Sequence, residues 1–443
     1  MKKHRFKTLV QRLFITADYF TANSMANHAA ACAYGFLLSI GPLLLIIFLF
    51  MFNAFPSSPH AAIALMRNIP FFETIFNREW LTSDLLHFSV PGIAGIIFLF
   101  SVFWAGRILA VSLQRGLKVI FTGEKKRNPV TDNLIIFSIE ILALILSLMI
   151  IFFSQTAMRL YEMINFIPET SILYPLVSDL GSKVFTSVIL GIVAYCAYRF
   201  IPVNHPRWLS ALRGSIFCIL SFECTTAILG VLLMQSRYNF LYGAMGNIIV
   251  LLINVYFFFI FFFFGSQYAF VIDSFDALHF IRMRKARMLY AQNLQREKQD
   301  PFSKMPDRLF YSIEGNLKKY LRYYRKGETI LFREDKRKEI FYLLEGEADV
   351  LILSAQNSDI SAGTLNAGSF FGEMSYLLSE KHSATIRAKT DVSVLALSYR
   401  IFDEILKYDT TLDRAIIEHM SRRIKDVNAQ IAALTKENSD QIN

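Results

Sequence analysis

One stretch of the chain holds the residue types that bind an anion: Phe371-Gly372-Glu373-Met374-Ser375-Tyr376-Leu377-Leu378, then Ser379-Glu380-Lys381-His382-Ser383-Ala384-Thr385. A glycine that opens a short helix leaves backbone N–H groups unpaired, and such groups cradle a phosphate. The Glu373 carboxylate beside them can accept from a ribose hydroxyl. A hydroxyl and a cation on the far side can complete a phosphate site. A second set lies in long apolar stretches: Arg107, Glu140 and Glu223. Ionisable groups there are costly and face protein or water. At about 1.5 Å per residue, Arg107 lies roughly 12 Å in from Arg115, Glu140 roughly 10 Å from Asn133 and Glu223 roughly 15 Å from Arg213. Ser39, Gly41 and Pro42 sit mid-stretch elsewhere, where proline frees a carbonyl. The chemistry is either a polar cavity for an ion or polar solute, or a buried ion pair with a spare carboxylate.

The elements that carry these residues follow from composition. The chain has 443 residues, 54% hydrophobic and 19% charged, with 42 Phe and a net charge of +10. Soluble proteins average about 25% charged residues, so a simple soluble enzyme and a disordered chain are excluded. Residues 1 to 272 hold 33 of the Phe, and 19 Lys and Arg against 11 Asp and Glu. The remainder holds 27 against 25, the balance of a soluble domain. All four cysteines lie in apolar segments and form no CxxC pair, so they read as core residues.

A spanning helix needs roughly 20 mainly apolar residues. Six segments qualify: about 29–52, 91–111, 134–153, 184–201, 214–234 and 248–272. Residues 1–28 form an amphipathic lead (Phe6, Val10, Leu13, Phe14 against Lys3, Lys7, Arg12) that suits a membrane interface. Basic residues alternate between loops. The lead, the Arg115 to Arg127 loop, the Arg199 to Arg213 loop and the Arg282 to Arg287 stretch are rich in them. The intervening loops are poor. By the positive-inside rule both termini are expected in the cytoplasm. The same charges account for the basic balance without nucleic acid.

The first part resembles the YihY/BrkB family of bacterial inner-membrane proteins, once labelled ribonuclease BN. The carriers are Ala33-Tyr34 through Ser39 and Pro42, Tyr198-Arg199-Phe200-Ile201-Pro202, Arg213-Gly214, Tyr242-Gly243-Ala244-Met245-Gly246 and Gly265. The resemblance covers roughly residues 10–280 and implies six helices in a plasma membrane. The ribonuclease label finds no support, because the eight His are scattered and none is at metal-ligand spacing. No metal site is expected.

Residues 273–305 read as a basic helical connector. Strand-like runs follow at Gly327 to Phe332, Ile340 to Ile352 with a break at Gly346, and Ala384 to Ser398. Such spacing predicts a small β-roll. From Thr411 to about Leu434 the period turns helical. In order with these strands, the Gly368 to Arg387 stretch resembles the phosphate-binding cassette of cyclic-nucleotide-binding domains, over about residues 306–430. That resemblance implies Gly372 for the tight approach and Glu373 for the ribose 2′-hydroxyl. Backbone groups around Met374 and Ser375, with Ser383 and Ala384, would hold the cyclic phosphate. The family's phosphate-pairing Arg falls at His382. Cyclic AMP or cyclic GMP is the implied ligand; the open alternative is a β-roll that binds no nucleotide. The helix after the roll implies a homodimer by analogy.

The expected architecture is an α-helical membrane bundle of six spans (29–272), a connector (273–305), a cytoplasmic β-roll with flanking helices (306–435) and a polar tail (436–443). No Walker A motif is present, which disfavours an ATP-driven pump. The expected function is a non-enzymatic transporter of a small solute or ion, tuned by the roll. A scaffold or signalling protein is the alternative.

Overall fold

The computed structural model describes residues 2–54, 93–122, 128–139, 141, 173–235, 238–295, 309–313, 315–353, 359–409 and single residues between 411 and 421. These fall into two compact units, Thr16–Asp273 and a second made of Met1–Ile15 with Ser274–Asn443.

The first unit is helical. After α1 (Lys2–Ala22) come α2 (Met25–Ala54), α3 (Ile93–Ile120), α4 (Pro129–Ile139), α5 (Leu173–Phe200), α6 (Trp208–Gln235) and α7 (Tyr238–Asp273). Long apolar runs become helices because a helix satisfies every backbone group within itself. The helical assignment of α2 continues through Pro42. Over Trp208–Gly230 and Ile249–Asp273 the chain is long and apolar enough to cross a membrane. Helix α7 packs on α6, α2 and α3, while α5 packs on α6. Its Phe run is used inward: Phe259, Phe262 and Phe263 are buried.

Where α6 and α7 cross, backbone meets backbone. A Cβ on Gly214 would lie 2.5 Å from the Gly265 carbonyl oxygen, and a Cβ on Gly265 would lie 2.6 Å from that of Gly214. Beside this point the buried Tyr198 hydroxyl donates to the Phe262 carbonyl at 2.6 Å, which ties α5 to α7. Cys218 is buried at the same crossing, whereas Cys224 is exposed.

The second unit begins one residue after α7. Helix α8 (Phe275–Gln295) falls within the 273–305 stretch, and it lays Ala277, Phe280 and Met283 into the core of this unit. A 3-10 turn (Gly315–Tyr320) leads to β1 (Leu321–Tyr324), β2 (Thr329–Leu331), β3 (Glu339–Glu345), β4 (Glu347–Leu353), β5 (Asp359–Asn366) and β6 (Phe370–Phe371). Helix α9 (Glu373–Leu378), β7 (Thr385–Ala388), β8 (Val392–Ser398) and α10 (Tyr399–Tyr408) follow. The strands form two antiparallel sheets, β1-β8-β3-β6 and β2-β7-β4-β5. Side chains alternate across a strand. Phe341 and Leu343 of β3 therefore enter the core between the sheets, and Tyr342 and Leu344 enter the core under α8 and α10. Gly346 joins β3 to β4 at φ +90°, and a Cβ there would lie 2.5 Å from the Asp391 carbonyl oxygen.

Helix α8 is held by charge as well as by apolar area. Asp276 accepts from Asn316 (2.9 Å), Lys319 (2.8 Å) and Tyr320 (2.7 Å). Burial alone would raise its pKa, but these three donors outweigh burial and hold the carboxyl below its ordinary value. Arg284 pairs with Asp409 at 3.3 Å, both largely buried.

The first residues of the chain belong to this unit. Gln11 Nε2 donates to the Leu309 carbonyl at 3.0 Å and lies 3.3 Å from His279 Nε2. Lys7 donates to Ser312 Oγ at 2.8 Å. His279 is fully buried between the Phe275 and Phe310 rings. Burial pulls its pKa down to about 4. An unfolded His titrates near 6.5, so the unfolded chain binds the extra proton first. The stabilisation is complete above about pH 6.5 and drains away as pH falls toward 4, on the order of 3 kcal/mol in all. Urea midpoints of the second unit at about pH 7 and pH 5 should show this slope, and His279→Leu should flatten it. An equal slope in the variant would reject the assignment.

Candidate functional site

The residues expected to bind an anion converge on one pocket. Strand β6 is short, and its pairing with β3 (Phe371 opposite Phe341) delivers the chain to Gly372. Gly372 has φ +81°, a left-handed conformation that glycine adopts at little cost. That turn starts α9, with Glu373 and Ser375 buried. From the other side, the segment entering β7 brings His382, Ser383 and Ala384. Gly372, Glu373, Met374, Ser375, His382, Ser383 and Ala384 all line one open pocket. Leu331, Val350, Leu365 and Ile386 from the second sheet give it an apolar wall. A few convergent polar groups on an apolar lining are the usual make-up of a small-molecule site.

The polar groups are individually placed. Ser375 Oγ donates to the Gly372 carbonyl at 2.8 Å and lies 2.8 Å from the Tyr399 hydroxyl, so it braces the turn. His382 is 3% exposed. Its Nε2 lies 3.1 Å from the Arg337 carbonyl oxygen. Its own carbonyl accepts from the Glu334 N–H at 2.8 Å. The loop between β2 and β3 thus grips His382 at both ends. Lys381 is exposed, 3.8 Å from Glu334, and does not line the pocket. Residues 333–338 and Tyr399 went unread in the sequence. The loop holds His382 through main-chain atoms, which leave no residue signature. Helix α10, with Ile401, Phe402 and Ile405 as its buried face, went unread as well. It matters to the site because Tyr376 of α9 packs on Tyr399 and Phe402 and donates to Asp403.

Three of the expected polar residues of the helical unit find local partners among the described residues. Arg107 Nη2 donates to Asn133 Oδ1 at 2.9 Å, between α3 and α4. Glu223 accepts from Ser187 Oγ at 2.5 Å, between α6 and α5. Ser39 Oγ donates back to the Gly35 carbonyl at 2.6 Å, inside its own helix. Pro42 lies in α2. Glu140 lies outside the described residues, as does most of the expected helix 411–434. The described residues between 411 and 421 are helical.

The comparisons with known proteins agree with this division. The cyclic nucleotide-binding domain family matches residues 321–409, which contain the pocket. The cAMP-activated global transcriptional regulator Vfr of Pseudomonas aeruginosa is 27% identical over 117 residues, 26% of this chain and 55% of that protein. The cAMP-activated global transcriptional regulator CRP of Salmonella typhimurium is 25% identical over 112 residues, 25% of this chain and 53% of that protein. The chain therefore spans about half the length of these curated relatives. The crystal structure of Thermus thermophilus catabolite activator protein matches 26% of this chain and 54% of its own, at 21% identity and a TM-score of 0.25. The virulence factor BrkB family matches residues 16–288, well over half of the chain. With the helical unit and the pocket-bearing roll both accounted for, the chain belongs to the virulence factor BrkB family, a membrane family, and carries a cyclic nucleotide-binding domain behind that segment.

Proposed function

We propose that this protein crosses a bacterial plasma membrane six times with both termini in the cytoplasm. Its roll binds a cyclic nucleotide, and the bound nucleotide tunes passage of a small solute or ion through the bundle. The protein performs no chemistry on its ligand. The observation that carries the reading is the convergence of all seven expected residues on one pocket. The relatives named above are cAMP-activated regulators, which favours cyclic AMP over cyclic GMP as the ligand. The alternation of basic loops supports the topology. The helical stretch from Thr411 supports a homodimer.

In this reading Glu373 accepts from the ribose and the Gly372–Ser375 main chain faces the cyclic phosphate, with Ser383 and Ala384 opposite. His382 takes the place of a bidentate cation, so affinity is modest. Calorimetry of the full chain in detergent should detect cyclic AMP binding. Glu373→Ala should weaken it at least about tenfold, the value of one charge-assisted hydrogen bond. His382→Arg should tighten it by about 2 kcal/mol, roughly thirtyfold. No heat at millimolar ligand with any of the three proteins would sink the nucleotide reading. For the transport half, monovalent-ion flux from proteoliposomes should change on adding cyclic AMP and should fall with Glu223→Gln. Flux equal to that of empty liposomes would leave the scaffold reading.

A further inference from the structure

The hydrogen bond from His382 fixes which ring nitrogen carries a proton. A carbonyl only accepts, and Nε2 lies 3.1 Å from the Arg337 carbonyl oxygen, so Nε2 is the donor. In the neutral ring the other nitrogen, Nδ1, is then a lone-pair acceptor. The Cε1–Nδ1 edge of the ring faces Gly372, with Cε1 3.3 Å and Nδ1 3.6 Å from where a Cβ on that glycine would stand. Gly372 is the turn that opens the pocket.

The charges around the ring decide what an anion would meet. No Lys or Arg is among the pocket-lining residues, whose one carboxylate is Glu373. From the β2–β3 loop, Glu334 faces Lys381 at 3.8 Å and Asp335 is paired with Arg337 at 2.6 Å. From β3, Glu339 is paired with Arg322 at 2.5 Å. Lys381, Arg337 and Arg322 are thus each matched by a carboxylate, and Asp335 also lies within electrostatic reach of His382. An anion set against Gly372 has main-chain N–H donors at the start of α9, and the His382 ring adds a donor on this side only when Nδ1 is also protonated.

The geometry points to a second input at this pocket: a proton that His382 takes up at Nδ1 together with the anionic ligand. The inference rests on the nucleotide reading above. A cyclic phosphodiester keeps its single negative charge across the physiological range, so the proton comes from solvent and goes to the imidazole. Imidazoles exchange that proton within the physiological range. Binding therefore favours the charged ring, and affinity rises as pH falls. The pocket reports cyclic nucleotide jointly with cytoplasmic acidity.

The test is calorimetry of the full chain with cyclic AMP at about pH 6, 7 and 8, each in two buffers of different ionisation heat. Wild type should bind at least about tenfold tighter at the lowest pH than at the highest. The buffer difference should show net proton uptake at the highest pH. His382→Gln keeps a donor toward Arg337 and cannot charge, so its affinity should be flat with pH. His382→Arg should be flat and tighter. Wild-type affinity that is flat with pH, or an undiminished slope in His382→Gln, overturns the inference and leaves the nucleotide reading standing. Absence of binding in all three proteins at every pH overturns the nucleotide reading and the inference with it.

Discussion

Gly265→Val should leave almost no monodisperse protein after detergent extraction, while Gly230→Val should behave as the parent chain. The difference is one of backbone against side chain. A Cβ on Gly265 would stand 2.6 Å from the Gly214 carbonyl oxygen, 2.9 Å from Cys218 Cβ and 3.0 Å from the Tyr198 hydroxyl. A carbonyl in mid-helix cannot swing away, so α6 and α7 would have to separate. In lipid, helix association depends on close packing of this kind, because burial from water no longer drives it. The hydroxyl bond from Tyr198 to Phe262 would be strained at the same time. Overpacking costs about 1–3 kcal/mol where side chains can yield, and more where backbone cannot. Gly230, on the partner helix α6, has nothing within 4 Å of its would-be Cβ. Size-exclusion profiles of the two variants make the comparison. A monodisperse Gly265→Val would show that the crossing is not tight.

Phe341→Ala should cost about 3–5 kcal/mol of stability in the roll and abolish ligand binding with it. Phe341 is fully buried, and its ring stacks on Phe371 at 5.2 Å with 8° between the planes. Phe371 lines the pocket and precedes Gly372. Removing the Phe341 ring opens a void under the residue that sets the turn. Phe332→Ala is the matched control, because Phe332 is 59% exposed. Its cost should stay within about 0.5 kcal/mol. Urea titration of the roll, followed by cyclic AMP calorimetry, reads both effects. Wild-type affinity in Phe341→Ala would show that the turn does not depend on this stack.

The sequence made some of this legible. Strands β3 and β4 appear in it as one apolar run broken at Gly346, and the break is where φ turns positive. The residues from Gly372 to Ala384 were legible as one site through the resemblance to the phosphate-binding cassette rather than through spacing, and they line one pocket. Strands β7 and β8 read as a single strand, because the turn that divides them carries no glycine or proline. Strand β5 was missed because it is an exposed edge whose polar residues have no apolar period. Strand β6 has two residues, too few for any period. The Asn133 partner of Arg107 and the Ser187 partner of Glu223 are neutral groups, and a search for opposite charges passes over them. The docking of Gln11 near His279 joins residues 268 positions apart, and neither type announces the other.

That last contact bears on how the protein is made. The unit that holds the pocket is discontinuous in the chain, since Met1–Ile15 is part of it and everything else in it follows Asp273. At about 5–20 residues per second, the ribosome needs roughly 13–50 s to travel from Gln11 to His279. During that interval the amphipathic face with Leu13 and Phe14 has been made and its partners have not. The nascent helix must be parked on a bilayer surface or a chaperone until the rest of its fold emerges. A fragment begun after the last apolar helix would be born without this piece, so the pocket-bearing unit is best expressed from the whole reading frame.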